Sequence, residues 1–169
     1  MPQHHPLIEK LNRLSAPGEL YERLPDQEVR CHACAHHCLI KPGKRVVCYM
    51  RYNQDGVLMV PYGYVAGVQP DPIEKKPFYH FMPGSRTLTF GMLGCNFHCS
   101  FCQNWHTSLT LRDSSADLAA HYIEEVSAKQ LVDYAARYGV KVMVSSYNEP
   151  LITSEWAVSI FKLDRKSVV

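Results

Sequence analysis

The first regular pattern along the chain is apolar. Leu7, Ile8, Leu11 and Leu14 recur at helical spacing before Pro17 and Gly18, which predicts a short amphipathic helix ended by that pair. Val57 to Val60, opened by Asp55-Gly56, and Tyr62 to Val68 read as strands separated by Pro61 and Gly63. Four prolines, at 70, 72, 77 and 83, make Gln69 to Ser85 an extended connector. Thr87-Leu-Thr-Phe-Gly-Met-Leu is rich in β-formers and apolar on both faces, as a buried parallel strand requires. Ser127-Ala-Lys-Gln matches a capping box, and Ala128, Leu131, Val132 and Ala135 continue as a helix up to Gly139. Lys141 to Ser146 is a second short buried strand, and Ser154 to Lys162 a second helix after the Pro150 turn. Strand, loop, helix, strand, loop, helix is α/β order, which implies a parallel sheet with its sites at the carboxyl ends of the strands. No internal repeat is visible.

Composition narrows the class. The 169 residues are 46% apolar and 20% charged, with 11 Pro and 9 Gly, which is globular and excludes collagen-like or mostly disordered chains. Eighteen basic residues face 16 acidic ones, a net charge of +2, so no strong field selects nucleic acid or anionic lipid. The Met1 end has no signal-peptide core and no apolar run reaches the roughly 18–20 residues of a membrane helix, so a cytoplasmic protein without membrane or nucleic-acid partners is expected. Seven cysteines in a reducing compartment point to metal rather than disulfides.

The cysteines fall into two groups. Cys31, Cys34, Cys38 and Cys48 form C-x2-C-x3-C-x9-C in a stretch too poor in large apolar side chains for a core of its own. Four thiolates close either a tetrahedral zinc site or an iron–sulfur cluster, and His32, His36 or His37 could substitute for one of them. Lys41, Lys44, Arg45 and Arg51 form a small basic patch beside this knot, the one feature that favours a zinc-ribbon nucleic-acid binder. Cys95, Cys99 and Cys102 form C-x3-C-x2-C immediately after the first predicted sheet strand. Three thiolates can hold three irons of a four-iron, four-sulfur cube and leave the fourth iron open. The alternative is a zinc knuckle that borrows His98, His106 or a distant ligand.

Cys95-Asn-Phe-His-Cys-Ser-Phe-Cys, with an aromatic before its last cysteine, resembles the cluster motif of the radical SAM superfamily. The longer run from Asp71-Pro-Ile-Glu-Lys-Lys-Pro-Phe-Tyr-His-Phe-Met-Pro-Gly-Ser to Gly94-Cys-Asn-Phe-His-Cys-Ser-Phe-Cys-Gln-Asn-Trp resembles the AmmeMemoRadiSam-type enzymes, relatives of the activating enzymes of pyruvate formate-lyase. The similarity spans roughly Arg30 to Phe161, with valine at position 46 where the family usually has glycine. The resemblance implies that Cys95, Cys99 and Cys102 ligate a [4Fe-4S] cluster whose open iron is chelated by S-adenosylmethionine. It implies an oxidoreductase-type enzyme that takes an electron from a donor, cleaves the sulfonium and releases a 5′-deoxyadenosyl radical. Phe101 would pack near the adenine. Ser146-Tyr-Asn-Glu-Pro stands where the family has its Gly-Gly-Glu-Pro loop, so Glu149 and, secondarily, Asn148 would meet the methionine ammonium. Without the resemblance, Glu149 is equally a carboxylate at a helix N-terminus. Activation of a protein partner, or association with a Memo-like protein, follows by analogy alone.

The expected organisation is an N-terminal helical segment over 1–29, a cysteine-rich metal-bound module over 30–70 and a radical SAM core over 71–169. That core is the opening portion of a partial (β/α)6 barrel, because two of six strand–helix units are found and the resemblance fades after Phe161. A truncated chain of uncertain activity is therefore expected. The competing expectation is a non-enzymatic zinc-stapled binding module that uses both cysteine groups structurally.

Overall fold

Residues 87–95 are buried without a break, and this run is the axis of the computed structural model, which describes residues 6–113, 116 and 121–164. In chain order the elements are α1 (Pro6–Arg13), β1 (Ser15–Pro17), β2 (Tyr21–Arg23), β3 (Val29–Cys31), β4 (Leu39–Ile40), β5 (Tyr52–Gln54), β6 (Val57–Pro61), β7 (Tyr64–Val65) and β8 (Gly67–Pro72). They continue with β9 (Arg86–Gly91), α2 (Trp105–Ser108), β10 (Glu124–Glu125), α3 (Ala128–Arg137), β11 (Val142–Ser145) and α4 (Ser154–Leu163).

β9 pairs in parallel with β11, Val142 opposite Thr87 and Ser145 opposite Phe90, as expected for successive strands of an α/β unit. Its other edge carries β8, antiparallel and in register from Gly67↔Gly91 to Pro72↔Arg86. The expected connector over residues 69–85 is therefore a sheet strand at its start. Pro70 and Pro72 fit because β8 is an edge strand among the described residues, so a missing N–H costs no ladder bond on the open side. The expected strand over 62–68 divides into β7, which pairs with β10, and the start of β8.

Leu88 and Phe90 face one side of β9 and join Leu131, Ala135, Met143, Trp156 and Ile160 in the main core. Thr87, Thr89 and Gly91 alternate to the other side. α3 has its capping box: the Ser127 hydroxyl accepts from the Gln130 N–H, and the Gln130 side chain accepts from the Ser127 N–H. α1 ends at Arg13, earlier than Pro17, because Ser15–Pro17 is drawn into pairing with β6. Leu7, Leu11 and Leu14 still bury their stripe in the main core, which also takes in Cys48 and Met50. A second, smaller core holds Val29, Cys31, Ala33, Ile40, Leu58 and Val60, so the cysteine-rich stretch borrows apolar partners from β6. The boundary at 70/71 falls inside β8. The expectations for residues 1–5 and 165–169 lie outside the described residues.

Candidate functional site: two cysteine groups and a loop

The C-x3-C-x2-C loop leaves the carboxyl end of β9 through Gly94, whose φ of +83° is left-handed. A Cβ there would lie 2.3 Å from Met50 Cγ and 3.1 Å from the Cys48 carbonyl oxygen, so both the turn and the packing require glycine. All three thiols are free: Cys95 is buried, Cys102 half-buried and Cys99 exposed. The Phe97 N–H lies 3.5 Å from Cys95 Sγ, and Cys102 Sγ lies 3.7 Å from Ser108 Oγ on α2. Phe101 is 85% exposed and packs on nothing that would fix it.

The loop after β11 adjoins this one. Met92 N–H donates to Asn148 Oδ1 at 3.4 Å and Ser108 Oγ donates to the Tyr147 carbonyl at 3.4 Å. Tyr147 has a φ of +76°, an uncommon conformation for a non-glycine residue, and its ring lies against Gly91. A Cβ at Gly91 would meet both the Ser146 carbonyl oxygen and Tyr147 Cδ2 at 2.7 Å. Asn148 is buried and its Nδ2 has no hydrogen-bond partner, whereas the Tyr147 and Thr89 hydroxyls face each other across the strand end. Glu149 accepts from the Leu151 N–H at 3.3 Å and caps the 3-10 turn Pro150–Thr153, the helix-terminal role read from sequence. A cavity of about 180 Å³ opens between the loops, lined by Gly67, Gly91, Met92, Asn104, His106 and Tyr147.

The four N-terminal cysteines meet at one small cavity of about 10 Å³ lined also by Ala33, Val46 and Ile152. Burial pushes the Cys31 and Cys48 thiols up, against backbone hydrogen bonds and the Arg51 charge, which pull them down. Metal binding would have to displace those protons. Among the described residues no group of three or more His, Cys, Asp or Glu side chains stands ready-made to hold a metal ion. The fit of both cysteine groups therefore rests on donor chemistry, with the thiols free to close in. The His32 and His37 rings face each other, Nδ1 to Nδ1 at 3.2 Å, on an exposed surface and outside the residues lining the knot cavity.

The structure removes Arg51 from the surface basic patch. Its side chain is 1% exposed and ion-paired with Glu155. Arg45 is half-buried and lies over the Tyr52 ring. Lys75 and Lys76 both reach the Asp71 carboxylate, at 2.7 and 3.0 Å. Burial alone would raise the Asp71 pKa, but these two bonds outweigh it and hold the group below its ordinary value. Gly91 and Glu155 carry no motif signal: a glycine and a glutamate look like any others until the fold places them.

The radical SAM superfamily model matches residues 90–167. An uncharacterized protein of Methanocaldococcus jannaschii is 40% identical over 137 residues, which cover 80% of this chain and 39% of the relative. The chain thus spans well under half the length of that curated relative. No solved structure matches this chain. The family match opens on β9 and contains the loop 95–102, and it supports the radical SAM superfamily.

Proposed function

We propose that this chain carries the cluster half of a radical SAM enzyme of the activating-enzyme-like, AmmeMemoRadiSam type. The observation that carries this reading is the shared position of the two loops. The C-x3-C-x2-C loop leaves the end of β9, the 146–150 loop leaves the end of its parallel neighbour β11, and hydrogen bonds tie the latter to Met92 and Ser108, which flank the cysteine loop. Ligand sites of α/β sheets lie at such strand ends. Cys95, Cys99 and Cys102 would hold the [4Fe-4S] cluster. When bound, the cluster supplies the electron for reductive cleavage of S-adenosylmethionine to methionine and a 5′-deoxyadenosyl radical.

The chain's own residues bind and orient. The Glu149 carboxylate suits the methionine ammonium, as expected, whereas the unpartnered Asn148 Nδ2 is a buried donor and so suits the methionine carboxylate in place of the expected ammonium. Phe101, exposed as it stands, is free to close over the adenine and exclude water. The knot of Cys31, Cys34, Cys38 and Cys48 would take one structural metal, for which zinc is the fitting ion. In this reading 1–29 and 30–70 support a core that begins at 71. An electron donor and a protein substrate are the partners such an activity needs.

The test is anaerobic reconstitution with iron and sulfide, followed by dithionite-dependent formation of 5′-deoxyadenosine. Formation of that product is expected. A chain that takes up zinc alone and binds no cluster would instead be a zinc-stapled binding module.

A further inference from the structure

Arg51 is the most heavily engaged charged side chain among the described residues, and neither cysteine motif includes it. It follows Cys48 by three positions, yet its guanidinium reaches across the molecule to the start of α4. Nε donates to the Ile152 carbonyl at 2.9 Å, Nη2 to the Leu151 carbonyl at 3.4 Å, and Nη1 to Glu155 Oε1 at 3.0 Å. Nη2 also bonds Glu155 Oε2. On its other side Nη1 lies 4.0 Å from Cys31 Sγ. Glu155, 8% exposed, in turn accepts from the Glu19 and Leu20 N–H groups at 3.3 and 3.5 Å. Ile152, whose carbonyl takes the Nε bond, itself lines the knot cavity, as does Asn96 next to Cys95.

Two carbonyls of one 3-10 turn and a carboxylate one residue into α4 are thus held by a cation that touches a knot thiol. That turn begins at Glu149. Second-shell donors to a metal's ligands commonly orient the ligands and are oriented by them. A thiolate at Cys31 would draw the Nη1 donor, and a bidentate pair with Glu155 leaves the guanidinium little freedom to do so without moving the turn.

We propose that Arg51 is a positioning residue that couples metal occupancy of the Cys31/Cys34/Cys38/Cys48 knot to the order of the 149–153 turn, and through it to S-adenosylmethionine binding. The last clause rests on the function proposed above; the first does not.

The experiment takes the full metal-free chain, adds zinc chloride, and follows amide hydrogen exchange over residues 151–156 in wild type, Arg51→Met and Arg51→Lys, with bound zinc measured in each. Wild type should bind about one zinc and slow exchange over 151–156 by roughly 5- to 150-fold, the span of ordinary coupling energies. Arg51→Met should bind the same zinc without that slowing, and Arg51→Lys should recover little of it, since lysine cannot fork. If Arg51→Met does not fold, Glu155→Gln takes its place, with the same loss of slowing expected. Equal slowing in wild type and variant, or zinc binding that leaves 151–156 unchanged in wild type, overturns the proposal. A wild-type chain that takes no zinc overturns it at the knot. In iron-reconstituted protein, Arg51→Met should weaken S-adenosylmethionine binding by the same factor at unchanged iron content. Failure of wild type to bind S-adenosylmethionine, with the zinc-dependent slowing intact, counts against the proposed function and leaves the coupling standing.

Discussion

Cys99 and Cys34 carry the same thiol into different surroundings, and that difference sets their expected behaviour. Cys99 is exposed and belongs to neither apolar cluster, whereas Cys34 is half-buried and lines the small cavity beside the core shared with β6. Cys99→Ala should abolish iron–sulfur absorbance while leaving the unfolding free energy within about 0.5 kcal/mol of wild type, the usual range for surface changes. Cys34→Ala should lower thermal stability and metal content yet keep the cluster signal. Equal loss of cluster in both would contradict the division between structure and chemistry. Asp71 gives a pH signature. Its folded pKa is depressed by Lys75 and Lys76, so its contribution is present above the ordinary carboxylate pKa and is lost as pH falls through the lower folded value. Asp71→Asn should therefore melt below wild type at pH 7, and the gap should close below about pH 3.9. The cysteine groups were legible because soft ligands at short spacing have few other uses. The roles of Arg51, Asp71 and Tyr147 were not, because each depends on a partner 4 to 104 positions away.

Among the elements, β9 shows what a strand pattern can and cannot say. A run of β-formers with apolar neighbours placed it correctly, and the parallel partner β11 followed from α/β order. The antiparallel strand β8 was hidden by its prolines, which an edge position tolerates. Thr87 and Thr89, both fully buried, also turn one face of β9 polar, and Thr89 meets the Tyr147 hydroxyl of the neighbouring loop. Gly91 is where the strand's geometry is most exacting. Gly91→Ala would force a Cβ to within 2.7 Å of the Ser146 carbonyl and the Tyr147 ring, and backbone cannot yield as a flexible side chain would. A loss of about 1–3 kcal/mol is expected by chemical denaturation, as for other overpacked sites. A neutral Gly91→Ala would mean that the 146–150 loop is not held against the sheet. By contrast α3 was fully readable, since the Ser127–Gln130 box and the Leu131/Ala135 stripe are local.

At the scale of the molecule, the N-terminal segments and the sheet share one core. Leu7 and Leu11 of α1, Cys48 and Met50 of the knot, and Leu88 and Phe90 of β9 belong to a single apolar cluster. Short spacing rules cannot foresee such contacts, because they join residues some 80 positions apart in one core. The arrangement sets Cys48 and Met50 directly behind Gly94, where the C-x3-C-x2-C loop begins. The relative from Methanocaldococcus jannaschii extends well beyond the matched region, and the activity of a whole protein of that length is a proposal for this chain. What the described residues already contain is the cluster loop with its neighbour at the carboxyl ends of β9 and β11. Low-temperature electron paramagnetic resonance of the anaerobically reconstituted, dithionite-reduced chain tests that claim most directly. A [4Fe-4S] signal that changes when S-adenosylmethionine is added, and that disappears in Cys99→Ala, is the predicted result. A reconstituted chain with no such signal, or with one indifferent to S-adenosylmethionine, would contradict the account.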